Sequence, residues 1–561
     1  MSFFIANIVM SGFPAGLVPR LSQPYVYAGD ELLSLTFIQR SLEGWIFDNP
    51  RMGWPFGSAM FDYPGSEAGN YLVFKALGLI SHTNGGVANL YFLLGFSAAF
   101  ISAFVVLCAL SVRTTYASAS AFLFAFAPFH FSRLLYGHLL YTCYFTVPLF
   151  FYYGIRVYYA ADTPFMLFNR RSIGTLLTAL VVLSSFGVYF AFFGVILLGV
   201  FTVAGIVRSS SWKPLIAGIS ICGCIGLGVI ANLMPTAVYR AQYGVNSEVA
   251  ARVPQETEVY SLKIIHLLLP QPDHRIPQLA NFTKRYNATF PLSNTTSALG
   301  VFGIIGFICV LGAWMRAVSG REVDAAIGVI SLAVVSLILV ATVGGFNVVF
   351  ATLVSPLIRG WDRISIFINF GALAALAISL SRWRWLNQVK STRLHAALAT
   401  CMAAIGFLDQ TPGSYWTTTK DAAARWQIDA AFVGKLEATM PTGAAIYQLP
   451  YFPFPESGPQ NALGAYQLAS GFLNSHALKW SYGGMQGRPG DLFFRSLSTQ
   501  SAEAQLEALR RRGFQGIYID RRGYPDHGAA IIDEFTKAIG HGPSLERADN
   551  SVAFFRLVPV P

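Results

Sequence analysis

Two adjacent carboxylates, Asp30 and Glu31, follow the run Pro24-Tyr25-Val26-Tyr27-Ala28-Gly29, close to the end of an apolar N-terminal stretch. An acid in that place can act as a general base. It would take the proton of an acceptor hydroxyl as that oxygen attacks an electrophile. Partial burial beside aromatic rings raises a carboxyl pKa, which suits a base working near neutrality. Asp62, in Phe61-Asp62-Tyr63-Pro64, offers a further carboxylate for positioning an acceptor or a metal. Plainer readings exist for both: Asp30 as the N-cap of a helix beginning at Glu31, and Asp62 as a turn former.

Basic groups gather at two other places. His130-Phe131-Ser132-Arg133 and Gly137-His138 stand at the ends of apolar stretches, where ionisable side chains are costly and mark function. Arg133 would bind a phosphate there, with His138 as hydrogen-bond donor and His130 beside them. Snorkelling, with a histidine bonded to a neighbouring helix, is the alternative. Arg359-Gly360-Trp361-Asp362-Arg363 presents two guanidiniums around an indole. Arginine grips phosphate oxygens with a planar fork, so this set suits an anionic, amphipathic headgroup. Lipid anchoring or an Asp362–Arg363 ion pair are the alternatives.

The elements that must position these groups follow from composition. The 561 residues are 54% hydrophobic, 14% aromatic and 12% charged, with net charge +11. The pI is 9.3 and mean hydropathy +0.50. Such a chain is neither disordered, collagen-like nor a disulfide scaffold. A nucleic-acid binder would be basic but not this apolar. A polytopic α-helical membrane protein fits. The 6 cysteines lie in apolar stretches without a CxxC pair and read as small buried hydrophobes.

Apolar segments at 1–19, 87–112, 115–130, 139–159, 172–187, 189–207, 214–233, 299–316, 326–345, 363–381 and 393–408 predict about eleven transmembrane helices. The apolar region 172–207 is too long for one span and must turn near Ser184, Ser185 and Gly187. Alternate loops carry Arg113; Arg156, Arg170 and Arg171; Arg208 and Lys213; Arg316 and Arg321; and Arg382, Arg384, Lys390 and Arg393. The positive-inside rule makes that face cytoplasmic. The longer loops 20–86, 235–298 and 346–362, and the tail 409–561, then face the periplasm or exterior. The first 408 residues form one membrane domain.

The first loop carries Trp45, Asn49-Pro50-Arg51 and Gly53-Trp54-Pro55-Phe56-Gly57, a shaped loop rather than a linker, then an apolar helix-like stretch over 70–80. The second holds an amphipathic stretch near Ser261–Leu269 that can lie on the outer leaflet. Its triplets at Asn281, Asn287 and Asn294 are assigned no role. The tail reads as a small soluble α/β domain: strands at 444–449, 516–519 and 552–557, helices at 502–512 and 529–539. It either covers a site or touches substrate.

Taken in order, these segments resemble the GT-C superfamily of membrane glycosyltransferases, near the protein O-mannosyltransferase-like and lipid A aminoarabinose transferase-like enzymes. The resemblance lies in Gly29-Asp30-Glu31; in Gly44-Trp45, Asn49-Pro50-Arg51, Gly53-Trp54-Pro55-Phe56-Gly57 and Asp62-Tyr63-Pro64; in Pro128-Phe129-His130-Phe131 with Arg133 and Gly137-His138; and in Arg359 to Arg363 before a late span. It covers residues 1 to 408. It implies Asp30 as the acceptor-activating base, Glu31 as an orienting acid, Asp62 as an additional acid, and Arg359 and Arg363 as holders of the donor phosphate. It also implies a polyprenyl-phosphate-linked sugar donor and inversion in a single displacement.

The expected activity is therefore a hexosyl- or pentosyltransferase acting on the periplasmic face of the inner membrane. Its acceptor would be a lipid, an envelope glycan or a protein, and membrane lipids would be its surroundings. The leaving phosphate needs fixed positive charge, and the acceptor needs a base on the opposite side of the sugar carbon. No P-loop accompanies Gly344-Gly345 or Gly483-Gly484, which disfavours a cytosolic nucleotide-sugar donor. A divalent metal is left open. The competing expectations are a flippase of lipid-linked saccharide and a non-catalytic envelope assembly protein. A flippase would show mid-span polar residues or repeated halves.

Overall fold

The computed structural model describes residues 1–63, 65, 67–162, 170–289, 297–389, 391–413 and 415–557, without the side chains of residues 170 and 171. Pro64, the triplet at Asn294, Lys390 and the Arg170 and Arg171 side chains lie outside the described residues. The fold is mostly α-helical, with a β-containing domain after the last apolar helix.

Long apolar runs fold as helices because a chain in lipid must satisfy every backbone polar group internally. Five described helices are long and apolar enough to cross a membrane: Asn84–Ala109, Val188–Ser209, Lys213–Tyr243, Gly300–Val318 and Trp361–Arg382. The other expected spans are helical too, but short, broken or polar. Gly12, at φ 71°, ends the helix Ser2–Ser11. Pro128 opens a new helix, Pro128–Leu135, after Thr114–Ala125. Segment 139–159 divides into the turn Leu139–Thr142 and the helix Thr146–Tyr158. Ala325–Ala341 has 17 residues, and Thr392–Gln410 carries Arg393, His395 and Asp409. The expected break in 172–207 falls at Phe186-Gly187, where Gly187 has φ 120°. The expected loop start at 235 is displaced. The helix Lys213–Tyr243 runs through Pro235, and its far end is held where Tyr239 stacks on Phe61 with ring centroids 4.7 Å apart. Helices meet closely at small residues: Gly306 lies so near the Ala372 backbone that a Cβ would be 2.1 Å from its carbonyl oxygen.

At one end of the bundle the three long loops and the tail interlock. The first loop contains the helix Asp30–Glu43, the ribbon of β1 (Asp48–Asn49) and β2 (Ser58–Ala59), and the helix Ala68–Gly78. The tail holds β3 (Ala445–Leu449), β4 (Lys479–Trp480), β5 (Phe514–Asp520), β6 (Leu545–Glu546) and β7 (Val552–Arg556) in the order β4-β3-β5-β7-β6. Strands β4, β3 and β5 are parallel, while β5–β7 and β6–β7 are antiparallel. The helices Ala502–Arg511 and Ala529–Ile539 fall where their periodicity predicts them. The tail is stitched to the first loop by backbone bonds from Gly53 to Tyr482 and from Trp54 to Trp480, both 2.9 Å. Asn246 of the second loop donates to the Gln486 carbonyl at 2.7 Å. At the other end the short basic loops converge: the Arg113 amide donates to Ser381 Oγ at 3.0 Å, and Arg382 pairs with Asp324.

Candidate active site

Asp30 is the first residue of the helix Asp30–Glu43, and Gly29, at φ 55°, turns the chain into it. The N-cap is therefore Gly29, which has no side chain to cap the helix, and not Asp30. Asp30 stands about half exposed in the first turn, where the helix dipole favours negative charge. Burial raises its pKa above the usual carboxylate value; the Arg359 charge lowers it, Glu456 raises it and Arg363 lowers it.

Glu31 differs although it is adjacent, because successive helical residues point about 100° apart. It is 1% exposed, and neither carboxylate oxygen finds a hydrogen-bond partner among the described residues. Burial, then the Asp30 charge, hold its pKa well above the ordinary range. Glu31 is therefore a buried acid whose protonated form is favoured, not a second surface carboxylate.

Gly137 brings the histidine to this acid. It follows the helix Pro128–Leu135 at φ 76°, with its amide on the Leu134 carbonyl at 2.9 Å. A Cβ there would be 2.4 Å from the Glu31 amide nitrogen. Ser34 Oγ closes the junction by donating to the Gly137 carbonyl at 3.1 Å. The next residue, His138, places Nε2 3.6 Å from Asp30 Oδ2. Burial, then Arg363, Arg133 and Arg359, lower the His138 pKa, so the ring is neutral and the contact is not an ion pair.

Arg363 lies between two aromatic faces, 4.1 Å from the Tyr141 ring centroid and 4.2 Å from that of Tyr189. Gly360 permits this stack, since a Cβ there would be 3.0 Å from Arg363 Nε. Among the described residues no carboxylate pairs with Arg363 and nothing accepts from its guanidinium. Arg359 is occupied: it pairs with Glu256 and covers the Tyr260 ring at 5.0 Å. The Tyr189 hydroxyl accepts from the Arg359 and Gly360 amides at 3.4 and 3.3 Å.

Four residues expected at the site have other work. Arg133 is fully buried and pairs with Asp362 at 2.9 Å, so it holds the turn Trp361–Ile364. His130 is a core histidine, stacked on Phe96 at 3.7 Å with its ring nitrogens near Tyr144 Oη (3.2 Å) and the Phe92 carbonyl (3.1 Å). Trp361 is 1% exposed, donates to the Ile358 carbonyl at 2.8 Å and packs against Phe192, Phe193 and Phe350. Asp62 is 0% exposed and bidentate to Arg488, Oδ2–Nε 2.6 Å and Oδ1–Nη2 2.8 Å. It is a strut between first loop and tail rather than an acid facing an acceptor.

Tyr141, Tyr189, Glu67, Glu256 and Glu456 join the site without a sequence signal, since each sits among ordinary aromatic or loop residues. Among the described residues no three His, Cys, Asp or Glu side chains cluster as a metal site.

No protein-family model matches the chain, and no curated protein matches it. Among solved structures it is similar to the Archaeoglobus fulgidus oligosaccharyltransferase in the apo form, at 10% identity and TM-score 0.46, over 92% of this chain and 69% of that one. The same enzyme with an inhibitory peptide and a dolichol-phosphate gives 10% identity and TM-score 0.46, over 92% and 68%. The arabinofuranosyltransferase AftD from Mycobacteria gives 14% identity and TM-score 0.45, over 93% of this chain but 34% of that one.

Proposed function

We propose that the protein is a GT-C-type membrane glycosyltransferase that moves a sugar from a polyprenyl-phosphate-linked donor to an acceptor hydroxyl. The observation that carries this reading is a half-exposed carboxylate, Asp30, 3.6 Å from His138, whose ring lies 6.1 Å from Tyr141, the ring that Arg363 covers at 4.1 Å without a carboxylate partner among the described residues. Arg363 takes the donor phosphate on the edge its two tyrosines leave uncovered, with Arg359 reinforcing the positive field. Asp30 takes the acceptor proton.

The acceptor oxygen attacks the anomeric carbon from the face opposite the phosphate and forms the new C–O bond. The bond from that carbon to the phosphate oxygen breaks, and polyprenyl phosphate leaves with the electron pair. The hydroxyl proton passes to Asp30. A single displacement of this kind inverts the anomeric centre. Fixed positive charge aimed at the leaving oxygens lowers the barrier without reorganisation during reaction. The raised Asp30 pKa, set by burial and offset in part by the Arg359 and Arg363 charges, favours proton uptake. Neutral His138 steers the Asp30 carboxylate. In this reading the interlocked loops and tail face the periplasm, the basic loops face the cytoplasm, and the count of about eleven spans is kept with the short helices included.

The experiment is direct. Purified protein in vesicles receives a labelled polyprenyl-phosphate sugar and a panel of lipid, glycan and peptide acceptors. Sugar appearing on an acceptor supports the transferase. Movement of the lipid without bond cleavage makes the protein a flippase, and neither event makes it an assembly protein.

A further inference from the structure

Glu67 is one of the buried first-loop acids that the reaction above does not use. Glu67 is 7% exposed and precedes the helix Ala68–Gly78. Its Oε2 accepts from Asn70 Nδ2 at 3.2 Å. Asn70, 0% exposed, accepts in turn from the Tyr91 hydroxyl at 2.8 Å, and that hydroxyl also lies 3.3 Å from the Leu140 carbonyl. Leu140 is bonded to Tyr141 in the turn Leu139–Thr142, and Tyr141 is one of the two rings that sandwich Arg363. The chain Glu67–Asn70–Tyr91–Leu140 is thus a buried polar path ending on one wall of the guanidinium clamp.

A buried polar network is maintained only when its members satisfy one another, and it then fixes side chains in one arrangement. Removing one member leaves another buried group unpaired, which loosens the whole path. Burial raises the Glu67 pKa; Asn70, the Val188 amide and Arg363 offset it in part. The Val188 amide opens the helix that carries Tyr189, the second ring of the clamp.

We propose that Glu67 is a positioning residue for the anion clamp at Arg363, acting through Asn70, Tyr91 and the Leu140 carbonyl to hold the Tyr141 ring against the guanidinium. This rests on the reading that Arg363 holds the donor phosphate. What the path secures is the spacing of two aromatic faces around one cation, so that its free edge meets phosphate oxygens in one orientation.

Farnesyl phosphate, a soluble short-chain probe, tests this by calorimetric binding to the full-length protein in detergent. Glu67→Ala should weaken binding about tenfold. Glu67→Gln keeps an oxygen for Asn70 and should stay within about twofold of wild type. Tyr91→Phe removes only one hydroxyl and is expected to fold; it should weaken binding about fivefold. Glu67→Ala combined with Tyr141→Leu should bind no more weakly than the weaker of the two single variants. Unchanged affinity in Tyr91→Phe, equal loss in Glu67→Ala and Glu67→Gln, or full additivity with Tyr141→Leu would each overturn the proposal. Arg363→Ala separates the two readings. If it binds farnesyl phosphate as wild type does, the phosphate site itself is wrong and the role of Glu67 falls with it. If it alone loses binding, the site stands and Glu67 is excluded.

Discussion

Asp30 Oδ2 and His138 Nε2 lie 3.6 Å apart although 107 residues separate them, and the contact exists because Gly137 lets two helix ends nearly touch. The helix ending at Leu135 and the helix beginning at Asp30 share backbone contact at a position where only glycine fits. The acid, the histidine and the arginine clamp are fixed by that junction more than by any single hydrogen bond.

Gly137→Ala tests the junction. The new Cβ would sit 2.4 Å from the Glu31 amide nitrogen, and φ 76° is unfavourable for alanine. We expect a loss of about 2 kcal/mol of stability. Turnover in the folded fraction should drop about tenfold, because the acid shifts against its substrates. Thermal unfolding and turnover of the purified variant measure both, and wild-type values in both would remove Gly137 from the account.

Arg363→Ala tests the phosphate site by its kinetics. It should raise the donor KM about tenfold or more, with a smaller effect on the acceptor KM. Arg359→Ala, which releases Glu256, should have the weaker effect on the donor. A reversed order would make Arg359 the principal contact.

Glu31 gives a prediction about pH and stability. Its folded pKa lies well above the value of 4.5 expected in the unfolded chain, so folding favours the protonated form. Its contribution is fully present below 4.5 and is lost as pH rises through the higher folded value. Glu31→Gln, permanently neutral, should therefore unfold at an equal or higher temperature than wild type near pH 8 and keep turnover within a few-fold. A loss as deep as that of an Asp30 variant would make Glu31 the base instead.

Arg488→Ala tests Asp62 as a strut. Removing the guanidinium strands a fully buried carboxylate, a change that costs about 3 kcal/mol. Tm should fall and proteases should release the tail more readily, while the donor KM of the folded fraction stays unchanged. A lost turnover at unchanged Tm would return Asp62 to the chemistry.

Much of this architecture was legible in the order of residues. The tail strands announce themselves as short continuous apolar runs, buried on both faces, at 445–449 and 552–556, and the tail helices by their apolar period. Pairings set by distant sequence were not legible. Nothing near Asp62 names Arg488, which is 426 positions away, and nothing near Arg133 names Asp362. His130 looks like a site residue by its polarity, yet its ring fills a slot against Phe96. The end of the helix at Tyr243 was missed because Pro235 reads as a stop, whereas packing of Tyr239 on Phe61 carries the helix past it.

The most direct test of the reaction centre is the turnover of Asp30→Asn with a labelled polyprenyl-phosphate sugar, set beside its binding of farnesyl phosphate. The account predicts turnover reduced about 100-fold or more, as for a lost general base, with phosphate binding and membrane insertion intact. Turnover close to wild type in that variant would contradict it.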